Sequence, residues 1–183
     1  MIAPVRTLGL LRHATAAWPP EGADADRPLT NRGHAEAEQL GHWLRSSRWK
    51  LDLVLCSAAV RTVQTWQAVQ RGWACQPQLA VEPALYAAPA ELLLQAVREL
   101  AGQASAVLVV AHNPGVHQLA YGLTADGAEP AVEQQVLDRL STDFAPAALA
   151  EFACDGDWPD LSPASVRLTR FTTPAFRRGT PPG

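Results

Sequence analysis

Thr7-Leu8-Gly9-Leu10-Leu11-Arg12-His13-Ala14 is a short apolar run that stops abruptly at a cation and an imidazole. Such a run reads as a buried strand. Its end delivers two phosphate-seeking groups to the edge of a sheet, where open α/β folds keep their ligand crevices. An Arg-His pair at a strand end is also common on solvated sheet edges, so the rest of the chain has to decide between the two readings.

The same pattern recurs. Strand-like runs stand at Leu51–Cys56 and Ala106–Ala111, and each is followed within a few residues by a helical pattern. Strands alternating with helices predict a parallel sheet covered on both faces, a three-layer α/β/α sandwich. The first helix is expected to begin near Thr30, an acceptable N-cap, with Ala37, Leu40 and Leu44 at helical spacing. A second starts after Ser57, with Val60, Val63, Trp66 and Val69 as its stripe. A third covers Ala90–Leu100, where Leu93, Ala96, Val97 and Leu100 line up. The fourth opens at Asn113-Pro114, an N-cap followed by proline at the first helical position. Ala147–Cys154 and Val166–Phe171 read as two more strands joined by a turn-rich stretch from Asp155 to Pro159, which predicts a hairpin at one edge of the otherwise mostly parallel sheet. Pro19–Pro28 is expected to loop over the crevice, and residues 175–183 to form a disordered tail behind a single domain of residues 1–174.

A chain of 183 residues with 48% hydrophobic and 18% charged residues suits one well-filled core. Net charge is −3, and Lys50 is the single lysine among fifteen basic residues. No basic run occurs, which argues against a nucleic-acid surface or a polybasic membrane patch and leaves room for a single anion site. Cys56, Cys75 and Cys154 are scattered and odd in number, as expected of reduced cysteines in the cytoplasm. The apolar stretch before Arg12 is too short for a signal peptide or a membrane helix. His34 and His42 read as surface or partly buried helix residues, and the spacing of His112 and His117 matches no zinc motif, so neither metal nor cofactor is expected. The six tryptophans read as core and rim aromatics, with Trp18 in the crevice loop placed where it could touch a substrate.

Three strand ends converge on one chemical theme. Arg12 and His13 follow the first strand; Ser57, with Arg61 one helical turn on, follows the second; His112 and Asn113 follow Val107–Ala111. In a parallel sheet these termini face the same side, so two Arg and two His can share one crevice. Arg61 is physically odd, because a cation in the first turn of a helix opposes the macrodipole. A bound anion resolves the conflict, accepting from helix N-terminal amides and guanidinium together; the alternative is that Arg61 bends away to pair with a carboxylate.

Arg12-His13-Ala14-Thr15, Arg27-Pro28-Leu29-Thr30 with Gly33, Ser57 with Arg61 and Gln64-Thr65, and His112-Asn113-Pro114-Gly115 resemble the successive motifs of the histidine phosphatase, or phosphoglycerate-mutase-like, superfamily. The stretch from Ala147 through Trp158 and Leu161 to Pro174 is similar to its short bacterial members, the phosphohistidine phosphatases. The resemblance spans residues 5 to 174. It implies the phosphoglycerate-mutase-like fold, a nucleophilic His13 that takes the phosphoryl group, Arg12 and Arg61 clamping its oxygens, and His112 as a further donor. Ser57, Thr15 and Asn113 join them as phosphate-binding or pocket residues. Two neighbouring guanidiniums would keep His13 neutral and nucleophilic, while an imidazolium at His112 would stabilise the transferring phosphoryl group.

Two positions depart from the pattern, Ala14 where the family has glycine and Ala58 where it commonly has proline. The segment from Val81 to Tyr86 matches the family's general-acid region only loosely. Glu82 is the candidate acid there, with Asp24 and Asp26 in the first loop behind it. A site lacking a dedicated acid suits an easily departing leaving group, and the chain lacks long lid-forming insertions. Together these favour a protein-borne phosphohistidine as substrate. The alternatives are a small-molecule phosphomonoesterase acting on sugar or nucleotide phosphates, and a non-catalytic phosphate-binding regulatory module.

Overall fold

β1 (Arg6–Arg12) and β4 (Ala106–Ala111) lie side by side at the centre of a six-stranded sheet of order β3-β2-β4-β1-β5-β6. The structure is a computed structural model and describes residues 6–18, 22–47, 49–125 and 132–173. β2 (Leu53–Ser57) and β3 (Gln78–Glu82) continue the parallel part, and β5 (Leu149–Cys154) pairs antiparallel with both β1 and β6 (Val166–Thr172). The expected parallel sheet with an antiparallel edge is the architecture observed. The expected tail, residues 175–183, lies outside the described residues.

Alternation along the central strands splits the core into two layers. Leu8, Leu10, Val107 and Val109 face one side with α3 (Ala90–Leu100) and α4 (Gly115–Ala125). Leu11, Leu108 and Val110 face the other, against Ala37, Leu40 and Leu44 of α1 (Asn31–Ser46) and Trp66 and Val69 of α2 (Val60–Trp73). Period-2 strands buried on both faces read as continuous apolar runs, as these do. Thr30 caps α1 as expected, its hydroxyl accepting from the Gly33 amide at 3.0 Å.

Several local expectations are corrected. Leu100 is 45% exposed although it keeps the seven-residue spacing from buried Leu93, because it stands in the last turn of α3 at the end of the buried stripe. Helix α4 begins at Gly115; Asn113 does not cap it, and its amide donates instead to the Phe144 carbonyl at 3.0 Å. Two elements carry no strong sequence signal, β3 and α5 (Gln134–Thr142). β3 is an edge strand with Leu79 and Val81 exposed, and only Leu140 of α5 is buried, so neither shows a clean apolar period.

Register is what builds the crevice. Arg12 pairs with Ala111, and the His13 amide donates to the Ala111 carbonyl at 3.0 Å, so His13 and His112 leave the sheet side by side. Cys56 pairs with Val110, which brings Ser57 alongside the same end of β4. Among the described residues no helix is long and apolar enough to cross a membrane.

Candidate active site

The His13 and His112 rings stand 5.3 Å apart, centroid to centroid, at the carboxyl ends of the two central strands. His13 Nδ1 is 2.8 Å from the Ala14 carbonyl oxygen. A carbonyl only accepts, so Nδ1 carries the proton and Nε2 keeps its lone pair. Burial, the largest cause, lowers the His13 pKa to about 4, and the guanidiniums of Arg61, Arg12 and Arg27 push the same way against the Ala14 contact. The ring is therefore neutral at neutral pH. The backbone that carries it is pinned: the Ala14 amide donates to Thr65 Oγ1 at 3.0 Å, and the Ala147 amide donates to the His13 carbonyl at 3.2 Å.

Arg12 Nη1 donates to the Phe144 carbonyl at 2.8 Å, the same oxygen that Asn113 reaches, so the loop after α5 is tied to the crevice by two donors. Arg61 is 5% exposed, and its fork meets Asp24 twice, at the carbonyl (2.6 Å) and at Oδ2 (2.8 Å). The carboxylate partner weighed for Arg61 therefore exists, but it sits at the crevice mouth rather than on a remote surface. Asp24 Oδ2 also accepts from the Tyr86 hydroxyl at 2.7 Å, and Oδ1 from Arg27 at 3.0 Å. The Tyr86 hydrogen bond, then those of Arg27 and Arg61, hold the Asp24 carboxyl far below the ordinary carboxylate range. Tyr86 closes the ring by standing edge-on to His112, centroids 5.5 Å apart.

His112 is 4% exposed and its pKa falls to about 3, chiefly through burial, with His13 and Arg61 adding to the shift. The expected imidazolium is thus corrected to a neutral ring, because burial strips its hydration and a third positive charge would stand beside two guanidiniums in the crevice. Ser57 Oγ lies 2.8 Å from His112 Nε2. Thr15 lines the neighbouring cavity, but its hydroxyl is committed to Glu36 Oε2 at 2.7 Å, with its amide on the same oxygen at 3.2 Å. Glu36 is 4% exposed and also accepts from Arg32, so it acts as a buried anchor for the chain just beyond His13. Glu82 closes β3 opposite Ser57 in register; among the described residues it has no hydrogen bond or ion pair with Arg12, His13, Arg61 or His112. Asp24 holds the carboxylate position at the mouth instead. Asp26 lies in the same short 3₁₀ turn as Asp24.

Sequence reading missed Glu36, Tyr86 and the Phe144 carbonyl. A carboxylate on the buried stripe of α1, beside Gly33, Ala37 and Leu40, is the one signal that could have pointed to Glu36. Beside the crevice, a cavity of about 510 Å³ is bounded by Thr15, Arg32, Arg139, Asp143 and Phe171. Trp18 stands 84% exposed at the rim with the Arg27 guanidinium 4.7 Å from its ring centre. Of the five buried side-chain polar atoms without a partner among the described residues, four belong to this crevice: Arg12 Nε, Arg61 Nε, His112 Nδ1 and Asn113 Oδ1. Buried polar groups are normally paired, so their concentration here marks a site built for a polar ligand: the two guanidinium nitrogens can only donate to it, whereas Asn113 Oδ1 can only accept. Among the described residues no three His, Cys, Asp or Glu side chains cluster as metal ligands.

Residues 8–86 match the family model of the histidine phosphatase superfamily, branch 1. A solved structure from Nakamurella multipartitia, ascribed to the phosphohistidine phosphatase SixA, is 33% identical and superposes with a TM-score of 0.82 over 96% of this chain and 99% of that one. The chain belongs to the histidine phosphatase superfamily. Other histidine phosphatases and relatives fit the same frame. A structure from Agrobacterium tumefaciens, also ascribed to SixA, is 28% identical with a TM-score of 0.75 over 92% of this chain and 97% of that one. An uncharacterized protein of Mycobacterium tuberculosis is 33% identical over 164 residues, 90% of this chain and 99% of the relative. As a member of this superfamily the chain is a hydrolase of the phosphatase type.

Proposed function

We propose that this histidine phosphatase hydrolyses a phosphoramidate, the phosphohistidine of a protein, by a metal-independent transfer through His13. The observation that carries the reading is the pair of unpartnered buried guanidinium donors, Arg12 Nε and Arg61 Nε, beside a neutral imidazole whose free nitrogen is Nε2. Arg12, Arg61 and His112 supply the donors that stabilise charge on a transferring phosphoryl group, the largest contribution in such reactions. In the first step the His13 Nε2 lone pair forms a bond to phosphorus as the substrate's P–N bond breaks. A leaving imidazole already protonated on its other nitrogen departs neutral. His13 becomes a phosphoimidazolium whose Nδ1–H stays on the Ala14 carbonyl. In the second step water attacks phosphorus, the bond to Nε2 breaks with its electron pair returning to the ring, and the water proton leaves with phosphate.

Leaving-group chemistry favours the phosphoramidate. Asp24 is held ionised by Tyr86, Arg27 and Arg61 and has no proton to give, and among the described residues Glu82 makes no hydrogen bond or ion pair with the site's cations or histidines. Without a placed acid, a basic alkoxide leaves slowly while an imidazole leaves unaided. Likeness to proteins ascribed to SixA supports the same substrate class. The 510 Å³ cavity beside the crevice is of a size that takes a small molecule, and it favours a small-molecule phosphomonoesterase as the second reading.

Brief exposure to a labelled phosphodonor should trap a phosphoenzyme that is labile in acid and stable in base, and His13→Ala should abolish it. Label persisting in His13→Ala overturns the assignment of the nucleophile. Turnover should survive excess chelator, and loss of activity that returns with a divalent cation overturns metal independence.

A further inference from the structure

Ser57 closes β2 with its side chain fully buried. Its Oγ lies 2.8 Å from His112 Nε2 and, among the described residues, has no other hydrogen-bond partner. The serine carbonyl is held separately, accepting from Thr62 Oγ1 at 2.8 Å. The hydroxyl proton therefore has one acceptor within reach, the lone pair of Nε2. A neutral imidazole that accepts at Nε2 carries its hydrogen on Nδ1. That Nδ1 is buried, without a partner among the described residues, and belongs to a ring next to the His13 ring.

We propose that Ser57 is a positioning residue that locks His112 in the Nδ1–H form, making Nδ1 the atom through which this histidine donates to a phosphoryl oxygen. The inference deepens the phosphatase reading and rests on it. The two neighbouring histidines then share one tautomer and present opposite atoms. His13 spends its Nδ1–H on the Ala14 carbonyl and offers a lone pair at Nε2; His112 spends its Nε2 on Ser57 and offers a proton at Nδ1. A neutral donor suffices, so the crevice needs no third positive charge. The other tautomer would turn a lone pair toward a phosphoryl oxygen and repel it. Ser57 thus contributes without touching substrate, whereas sequence reading had placed it in the phosphate pocket.

The test uses the full-length chain labelled with ¹⁵N and two-bond ¹H–¹⁵N correlation of the imidazoles, with His112 identified by loss of its signals in His112→Gln. At pH 7 the wild-type protein should show His112 as Nδ1–H, and titration with inorganic phosphate should shift His112 Nδ1 while the tautomer stays. Ser57→Ala should move His112 to an averaged or Nε2–H pattern and weaken inorganic phosphate binding about tenfold, with Ser57→Thr restoring part of both. A wild-type His112 that is Nε2–H or protonated at pH 7 overturns the proposal whether or not the variants fold. So does Ser57→Ala with unchanged tautomer and unchanged phosphate affinity. Neither readout requires turnover, so an absence of activity on phosphodonors counts against the phosphatase reading alone.

Discussion

Arg61 and Asp24 are joined twice, Nη2 to Oδ2 at 2.8 Å and Nη1 to the backbone carbonyl at 2.6 Å, across 37 residues of sequence. The pairing answers the conflict between Arg61 and its own helix dipole, because the acceptors of Asp24 stand where an anion would. It also means that an incoming phosphoryl group competes with a resident carboxylate for the same fork. Asp24→Asn keeps an acceptor oxygen but removes the charge. Inorganic phosphate should then inhibit about two- to fivefold more tightly, the range of a partly exposed charge pair, since the Asp24 side chain is 52% exposed. Weaker inhibition in a competition assay would show that Asp24 orients Arg61 rather than contesting it.

Acid should destabilise the protein through its two crevice imidazoles. Their folded pKa values, about 4 for His13 and about 3 for His112, lie below the unfolded value of 6.5, so the unfolded chain binds more protons once the pH falls below that value. Stability is complete above about pH 6.5 and declines as the pH drops toward 4. At pH 5 each ring should cost roughly 2 kcal/mol, from about 1.4 kcal/mol per pH unit. Glu151, whose carboxyl is raised by burial, works in the opposite sense, and Asp24, depressed below its ordinary value, contributes only in more acid solution. Denaturant unfolding at pH 7.5 and 5.0 measures the loss, and His13→Asn should remove about half of it. Equal stability of the wild type at both pH values would contradict the burial of neutral rings.

Leaving-group dependence should be steep. General-acid assistance is typically worth about 10² to 10⁴ in rate, and Asp24, the carboxylate at the crevice mouth, is held ionised by Tyr86, Arg27 and Arg61. Efficiency should fall from phosphohistidine and aryl phosphate to alkyl phosphates, and Glu82→Gln should change the first two less than about threefold. A sugar phosphate as best substrate, with Glu82→Gln crippling its turnover, would make Glu82 the acid and favour the small-molecule reading.

Gly33 is where α1 meets the chain behind the nucleophile. A Cβ there would overlap the Thr15 carbonyl oxygen, a backbone atom held by the Thr30 amide at 3.0 Å. Gly33→Ala should lower stability by about 1–3 kcal/mol, as overpacking does, and reduce kcat through the displaced strand end. Gly122, on the exposed face of α4, has nothing within reach of a Cβ, so Gly122→Ala should be neutral or stabilising by up to about 1 kcal/mol. Thermal melts of the two variants provide the check, and similar shifts in both would remove the steric explanation.

The sequence by itself determined the strand and helix succession, because buried parallel strands and amphipathic helices carry their own periodicities. It also placed Arg12, His13, Ser57, Arg61 and His112 at strand and helix ends, which a parallel sheet gathers on one side. Edge strand β3 and the polar helix α5 left little trace, since elements that bury few side chains impose no apolar period. Only the tertiary structure decided the pairings within the crevice: Arg61 with Asp24, Tyr86 with Asp24, and Ser57 with His112. Each joins residues 37 to 62 positions apart, brought into hydrogen-bond reach by strand register and loop closure. The same burial that ordered these contacts stripped water from both histidines and left them neutral, a property of the desolvated crevice that no local pattern of residues encodes.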